Sequence, residues 1–312
     1  MIPILDVVLP VFAIILAGYA AGRMGWLGEA SSDALNRFVY YCALPALFFG
    51  SLARIEPARI FDPAFLAAYT GGQLAVFVAA FASARLLFKN SPAEASLFAM
   101  GGIFANSGYM GVPLALVAFG ADGIPPTIVA TVFMSMIFIA LVTILIETDP
   151  RRRAGGARVV RDAARAVFQS PLVMSALVGM LWSLAGVGLP KPVATFFDLL
   201  GAAAGPCALF AIGLFLVGKP IRQDLGEVGA MVAIKLAVHP LVTWALAFHV
   251  FAVETTWATV AVVMAALPAG ANCFVVAQRY GVYVQRASSG ILLSTALSVV
   301  TVSILFSLWI AN

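Results

Sequence analysis

Apolar runs long enough to cross a lipid bilayer recur along the whole of this chain, with mostly short polar connections between them. A spanning helix needs about 20 consecutive apolar residues. Inside hydrocarbon no water satisfies the backbone, so spanning segments must be helices or a closed barrel. Ten runs of this kind are read at 2–22, 33–53, 62–88, 93–120, 124–146, 170–188, 192–218, 226–253, 254–280 and 285–310. Charged residues make up only 10% of the 312 positions and apolar ones 62%. A soluble domain would carry roughly 25% charged residues. The expected fold class is therefore an all-α polytopic membrane protein of ten helices. The first 22 residues lack a basic leader and read as a first span rather than a cleaved signal.

The basic residues sort by side. Connections after the odd-numbered spans hold fourteen: Arg23, Arg37, Arg85, Lys89, Arg151, Arg152, Arg153, Arg158, Arg161, Arg165, Lys219, Arg222, Arg279 and Arg286. The other side holds Arg54, Arg59 and Lys191, and Lys235 lies inside span 8. Positive charge stays cytoplasmic, so both termini are expected on the outer side of a cytoplasmic membrane. The spread of charge over many loops, without a phosphate loop or RNA-binding signature, argues against a nucleic-acid partner. Cys42, Cys207 and Cys273 fall in apolar spans and form no disulfide framework. No metal-ligand spacing and no cofactor motif is found.

The only long connection, 147–169, reads as a solvated basic linker, with regulation by anionic lipid as the alternative. It divides the chain into 1–146 and 170–312, each with five spans. An odd number of spans inverts orientation, so similar halves would form an inverted repeat. Pro45 in Leu44-Pro45-Ala46-Leu47-Phe48 and Pro206 in Pro206-Cys207-Ala208-Leu209-Phe210 stand 161 positions apart. Asn106 and Asn272, each preceded by alanine, stand 166 apart.

Those asparagines mark two breaks. Span 4 contains Asn106-Ser107-Gly108-Tyr109-Met110-Gly111-Val112-Pro113, and span 9 contains Pro268-Ala269-Gly270-Ala271-Asn272. Pro113 and Pro268 remove a backbone donor and clash with the preceding turn. Gly108, Gly111 and Gly270 are expected to permit unusual dihedrals and close backbone approach. Each span would become two half-helices whose N-termini offer free N–H groups and positive dipole ends. If the broken spans cross, a carboxylate is the favoured ligand. Asn106 and Asn272 either hold that ligand or cap the broken helices; both readings stand. Pro45 and Pro206 read as kinks.

Lys235 is the one deep charge, roughly 13 Å into span 8 by helical rise. It either faces a cavity as a functional ion or snorkels to the interface. His239 lies one turn further on, and Gln73 follows Gly71-Gly72; that stretch reads either as facing a cavity or as a helix-packing notch. Asp198 is expected about 10 Å into span 7 from the outer side.

With these motifs in place, the chain resembles the auxin efflux carrier family, in particular its bacterial malonate and organic-acid branch. The resemblance covers essentially the whole chain and is carried by 106–114 and 267–275, supported by 35–38, 44–47 and 206–213. It implies two inverted five-helix repeats with spans 4 and 9 crossing. It implies a scaffold of spans 1, 2, 6 and 7, which dimerises, and a mobile transport unit of spans 3–5 and 8–10. The substrate site would fall on Asn106, Ser107, Gly108, Tyr109, Gly270 and Asn272, with Pro113 and Pro268 at the crossover. Gln73, Lys235 and His239 would be charge or polar partners. Plant auxin carriers commonly have Lys-Glu where this chain has Gln278-Arg279, which weakens the case for auxin itself.

The expectation is a secondary transporter of a small mono- or dicarboxylate such as malonate, or an auxin-like acid, working by an elevator or rocking motion. Coupling to H+ or Na+ is left open. Rivals are a coupled symporter of a bulkier amphipathic anion and a membrane sensor that binds without transport. An enzyme is not expected, since no span pairs a nucleophile with a base.

Overall fold

The computed structural model describes residues 8–149, 161, 164–165, 167–218 and 224–309. Most of the 147–169 connection lies outside that set, with Arg151, Arg152, Arg153 and Arg158, as do Lys219, Arg222 and residues 2–7. The described residues are helical throughout, joined by turns. One isolated antiparallel bridge is the only β-type pairing among them.

Helix α1 is Leu9–Arg23. The second apolar run is α2 (Glu29–Phe38), a π-helical stretch (Val39–Ala43) and α3 (Leu44–Leu52). After a short α4 (Pro57–Ile60) comes α5 (Pro63–Leu86). The fourth run is α6 (Pro92–Ile103), a break, a π stretch (Ser107–Gly111) and α7 (Val112–Phe119). Helix α8 is Ile124–Glu147. Beyond the long connection lie α9 (Pro171–Leu184), α10 (Lys191–Ala202) and α11 (Ala204–Leu216). The eighth run is α12 (Leu225–Ala233), a π stretch (Ile234–Val238), α13 (His239–Trp244) and a second π stretch (Ala245–Val250). It is followed by α14 (Thr255–Ala266), α15 (Asn272–Tyr280) and α16 (Val284–Trp309).

Among the described residues, five continuous stretches are long and apolar enough to cross a membrane: Pro63–Leu86, Ser107–Glu147, Lys191–Leu216, Leu225–Val250 and Val284–Leu308. Leu9–Arg23, Pro171–Leu184 and Thr255–Ala266 are apolar but shorter. The chain is thus a polytopic helical membrane protein.

Local chemistry sets the ends. Pro63, Pro92 and Pro171 open their helices, where the missing N–H costs nothing. Asp62 accepts from the Phe65 N–H at 2.9 Å. Ser91 and Glu94 form a reciprocal capping box at the start of α6, and Glu254 accepts from the N–H groups of Thr256 and Trp257. Each such cap contributes about 1 kcal/mol.

Prolines inside a run are absorbed differently. Pro45, Pro113 and Pro240 each follow, two residues on, the last residue of a π stretch. A wider turn moves aside the carbonyl that a proline ring would strike and leaves the missing donor unneeded. Pro113 therefore does not make the break in span 4. It sits in the second half-helix, past the break.

Packing falls into two groups. Helix α1 lies along α11, and α3 lies against α9 and α10. Helices α5, α6 and α8 pack together, α13 packs on α5 and α14, and α12 on α6 and α16. The α1–α11 contact is backbone-close. A side chain at Gly18 would strike the Phe210 carbonyl, and one at Gly213 the Tyr19 nitrogen at 2.6 Å. Without a hydrophobic drive between helices in lipid, such small-residue seams supply the dispersion contact that holds helices together. Met231 of α12 occupies the gap left by Gly101 and Gly290.

At the end of the bundle carrying Lys89, one polar cluster joins four segments. Glu227, buried at the start of α12, accepts from Asn90 Nδ2 and from the Tyr283 hydroxyl, each at 2.7 Å. Arg286 reaches Asp224 at 2.6 Å and lies 3.5 Å from Glu227 and 3.8 Å from Glu94. Burial first, then the bond to the Glu227 carboxylate, hold the Tyr283 hydroxyl pKa well above its ordinary value. Glu227→Leu leaves the Asn90 amide and the Tyr283 hydroxyl without their acceptor and is expected to cost about 2–4 kcal/mol. Detergent-solubilised thermal unfolding measures it, and an unchanged midpoint would show that water replaces the carboxylate. The Arg54–Asp198 pair at 2.8 Å is exposed on both sides and contributes little.

Candidate functional site at the crossed helix breaks

Both expected breaks are present, and they meet. Helix α6 ends at Ile103, and Phe104 turns extended (φ −77°, ψ 104°). Helix α14 ends at Ala266, and Leu267 does the same (φ −63°, ψ 154°). The two extended pieces pair antiparallel at Ala105 and Ala269. Asn106 N–H donates to the Pro268 carbonyl and Gly270 N–H to the Phe104 carbonyl, both at 2.9 Å. Each break thus supplies hydrogen-bond partners for the other. The neighbouring amides are also met: Ala269 N–H donates to Ser294 Oγ at 3.0 Å, and Ala105 N–H to Met134 Sδ at 3.4 Å. Non-helical backbone at membrane depth is tolerated only when so paired or facing a cavity.

The glycines work by closeness rather than by dihedral freedom. Gly108, Gly111 and Gly270 all keep ordinary negative φ. A Cβ on Gly270 would stand 2.8 Å from the Ala105 carbonyl oxygen, and one on Gly111 would stand 2.7 Å from Met264 Sδ. At Gly270 the requirement is for space between two crossing backbones, and at Gly111 for room beside the Met264 and Leu267 side chains.

The asparagines then separate from their capping role. Asn106 occupies the N-cap position of the second half-helix of span 4, yet its side chain makes no capping hydrogen bond. Its backbone carbonyl, instead, accepts from Met110 and Gly111. Asn272 is the first residue of α15, and no side chain caps that helix either. Asn106 is buried, with 8% exposure, and Asn272 is half-buried next to exposed Ala271. Ser107 is buried, while Gly108 and Tyr109 are half-buried. The N–H groups of Ser107, Gly108 and Tyr109 precede the first bond of their half-helix, whereas at α15 Cys273 and Phe274 donate to the Gly270 and Ala271 carbonyls; the positive dipole end adds to both. Two uncommitted amides beside two such termini make a neutral, donor-rich place suited to a small carboxylate.

Other helices close round this place. The Tyr109 hydroxyl donates to the Asn36 carbonyl of α2 at 3.3 Å. Leu44 of α3 and Leu172 of α9 lie against Gly108, and Gly205 of α11 faces Pro113.

Lys235, His239 and Gln73 lie on the eighth run and on α5. All three are fully buried between α5, the π stretch after α12, and α13. Lys235 Nζ donates to the Ala265 carbonyl at 2.5 Å and lies 3.3 Å from His239 Nδ1. It points at the end of the first half-helix of span 9 and does not snorkel. Gly72, beside Gln73, abuts Thr243 and Leu246, as a packing notch would. An apolar cavity of about 180 Å³ between α3, α8 and α9, lined by Leu52, Val129, Phe133, Ala176 and Met180 among others, offers an anion no partner. Among the described residues no cluster of acids, histidines or cysteines could hold a metal ion.

Sequence reading missed Ser294 and Met134 as partners of the broken backbone. A serine and a methionine within apolar helices give no signal of their contacts.

The family described as Membrane transport protein matches residues 3–306 of this chain. A Rhizobium meliloti protein named "Putative malonate transporter" is 33% identical over 303 residues, covering 97% of this chain and 95% of its own. The Escherichia coli "Uncharacterized transporter YfdV" is 26% identical over 309 residues, 97% of this chain and 95% of its own. "Auxin efflux carrier component 7" of Arabidopsis thaliana is 30% identical over 134 residues, 41% of this chain and 22% of its own.

Proposed function

This chain belongs to the membrane transport protein family, that of the auxin efflux carriers, and from that premise we propose that it carries a small mono- or dicarboxylate, such as malonate, by alternating access at the crossed breaks. The observation that carries the reading is the pairing of two half-helix termini beside two asparagines that cap nothing. Asn106, Asn272, Ser107, Gly108, Tyr109 and Gly270 receive the carboxylate, and Pro113 and Pro268 frame the crossover. Binding to backbone N–H groups and amides, rather than to a fixed ion, lets the anion leave as readily as it enters.

The architecture we propose is ten spans in two inverted repeats, 1–146 and 170–312, with both termini outside the inner membrane. The grouped packing supports a scaffold of spans 1, 2, 6 and 7, dimeric through its exposed face, and a transport unit of spans 3–5 and 8–10. The crossing lies within the transport unit, and the second half-helix of span 4 faces the scaffold through Tyr109 and Pro113. Movement of one unit past the other would carry the site between faces as an elevator does.

Counterflow of labelled malonate in proteoliposomes tests this, with other carboxylates as competitors. Saturable exchange that unlabelled short carboxylates suppress is the expected result. Stoichiometric binding without flux would make the protein a sensor. Sodium-dependent flux of a bulky amphipathic anion alone would make it a symporter of another class.

A further inference from the structure

We propose that Lys235, with His239 beside it, is a protonation site that couples movement of the anion to a proton gradient. This rests on the reading above that an anion is carried. The Lys235 ammonium donates to the carbonyl of Ala265, in the last turn of α14. The carbonyl end of a half-helix carries partial negative charge, and in transporters built on broken helices such ends hold the coupling cation. Here a side-chain cation stands in that position, fully buried, with no ion-pair partner among the described residues.

The groups around it form a polar cluster of their own on α5 and the eighth run. Tyr69 and Gln73 lie one turn apart on α5, and His239 and Thr243 one turn apart on α13. All four are completely buried, and α13 packs on α5. The Tyr69 and His239 rings are 6.5 Å apart, and a Cβ on Gly72 would lie 3.4 Å from Thr243 Oγ1. Tyr69 Oη, both amide atoms of Gln73, His239 Nε2 and Thr243 Oγ1 make no hydrogen bond. A purely structural polar cluster would satisfy its members. From Lys235 these groups continue toward the end of α5 that begins at Pro63. In the other direction along span 8 lie Val228, Met231 and Val232, buried and apolar.

Position in the chain points the same way. Tyr69 and Lys235 are 166 residues apart, as are Gln73 and His239, and as are Asn106 and Asn272. The polar centre thus keeps the repeat spacing of the two asparagines.

Size and charge select the ligand. A metal ion would meet an ammonium and no carboxylate, and an anion would need room that these packed side chains leave no sign of. A proton needs neither. The titratable groups facing Lys235 are His239 on its own run, Tyr69 on α5 and Cys273 at the start of α15. Helix α14 offers none, and α6 and α16 offer only Glu94 and Arg286, 3.8 Å apart at the far end of the run. In the step, a Lys235 N–H bond breaks and its proton passes to His239 Nδ1. The His239 Nε2 proton then leaves along the polar groups, so Lys235 ends as a neutral amine and His239 as the other neutral tautomer. One proton is released; once the site faces the other side a proton returns to His239 Nε2, and the Nδ1 proton passes back to Lys235, which restores both groups.

Two measurements on the full-length protein decide it. Without substrate, thermal unfolding of wild type and of Lys235→Met is compared from pH 6 to pH 9. The difference between their midpoints is expected to change across that range; a constant difference overturns the proposal, since Lys235 would then hold a fixed proton. In sodium-free proteoliposomes, labelled malonate uptake driven by an imposed pH gradient is set against counterflow at equal pH. The ratio of the two is expected to fall at least about tenfold in Lys235→Met and to a lesser degree in His239→Gln. A wild-type protein indifferent to the gradient, or variants keeping the wild-type ratio, overturns the proposal. Should Lys235→Met not fold, His239→Gln carries both comparisons on the same terms. If malonate fails to exchange at all, the anion reading falls while the unfolding comparison still decides the proton site.

Discussion

Asn106→Ala is expected to raise the half-saturating malonate concentration about 10- to 150-fold and to leave the unfolding midpoint close to wild type. The size follows from losing one hydrogen bond to a charged group, about 1.5–3 kcal/mol. The stability expectation follows from the geometry. Asn106 stands at an N-cap position but caps nothing with its side chain, and the pairing to Pro268 and the acceptance from Met110 use its backbone alone. An alanine keeps all of those bonds. Asn272→Ala should behave alike, because no side chain caps α15. Asn106→Asp is the sharper variant: it keeps the size and places a negative charge where a carboxylate must sit. Malonate counterflow and thermal unfolding, measured on the same preparations, give both readings. A large drop in midpoint with unchanged affinity would show that the asparagine is a structural cap after all.

Gly270→Val is expected to have the opposite signature, a loss of about 2–6 kcal/mol of stability with loss of all transport. A Cβ there stands 2.8 Å from the Ala105 carbonyl oxygen and 3.3 Å from the Phe104 ring. Backbone cannot yield as a flexible side chain would, so the two extended pieces must part. The bonds from Asn106 to Pro268 and from Gly270 to Phe104 then fail together, and each leaves a buried polar group unmet at about 1–3 kcal/mol. Gly71→Ala is the control. Nothing lies within 4 Å of a Cβ at Gly71, and alanine in a helix interior should gain up to about 1 kcal/mol. Fluorescence-detected size-exclusion after heating separates the two. A Gly270→Val protein as heat-resistant as wild type would mean that the crossing is held by the surrounding helices and not by its own hydrogen bonds.

Much of this was legible in the residues. Apolar runs of bilayer length placed the helices, because a spanning backbone has no other way to satisfy itself. The clustered glycine, proline and asparagine in two of those runs marked where the helix stops. Less was legible about each residue's task. Pro113 reads as a breaker, but the π stretch Ser107–Gly111 absorbs it and the break falls earlier, at Phe104–Asn106. Gly111 and Gly270 read as sources of unusual dihedrals, but they serve as space, Gly111 for the Met264 and Leu267 side chains and Gly270 for the crossing backbone at Ala105. Lys235 reads as either a functional ion or a snorkelling one, and it does not snorkel: its ammonium is buried and ends on the Ala265 carbonyl.

The sequence alone determined that the chain is a membrane-embedded set of helices, and which two of them are broken, because hydrophobic length and helix-breaking chemistry act locally. Only the tertiary structure decided that the breaks pair with each other, that the asparagine side chains are left out of the capping, and that Lys235 sits with His239, Tyr69 and Gln73. Those outcomes join residues more than 150 positions apart, and what a freed N–H or a buried ammonium finds to bond with is set by the packing of distant helices.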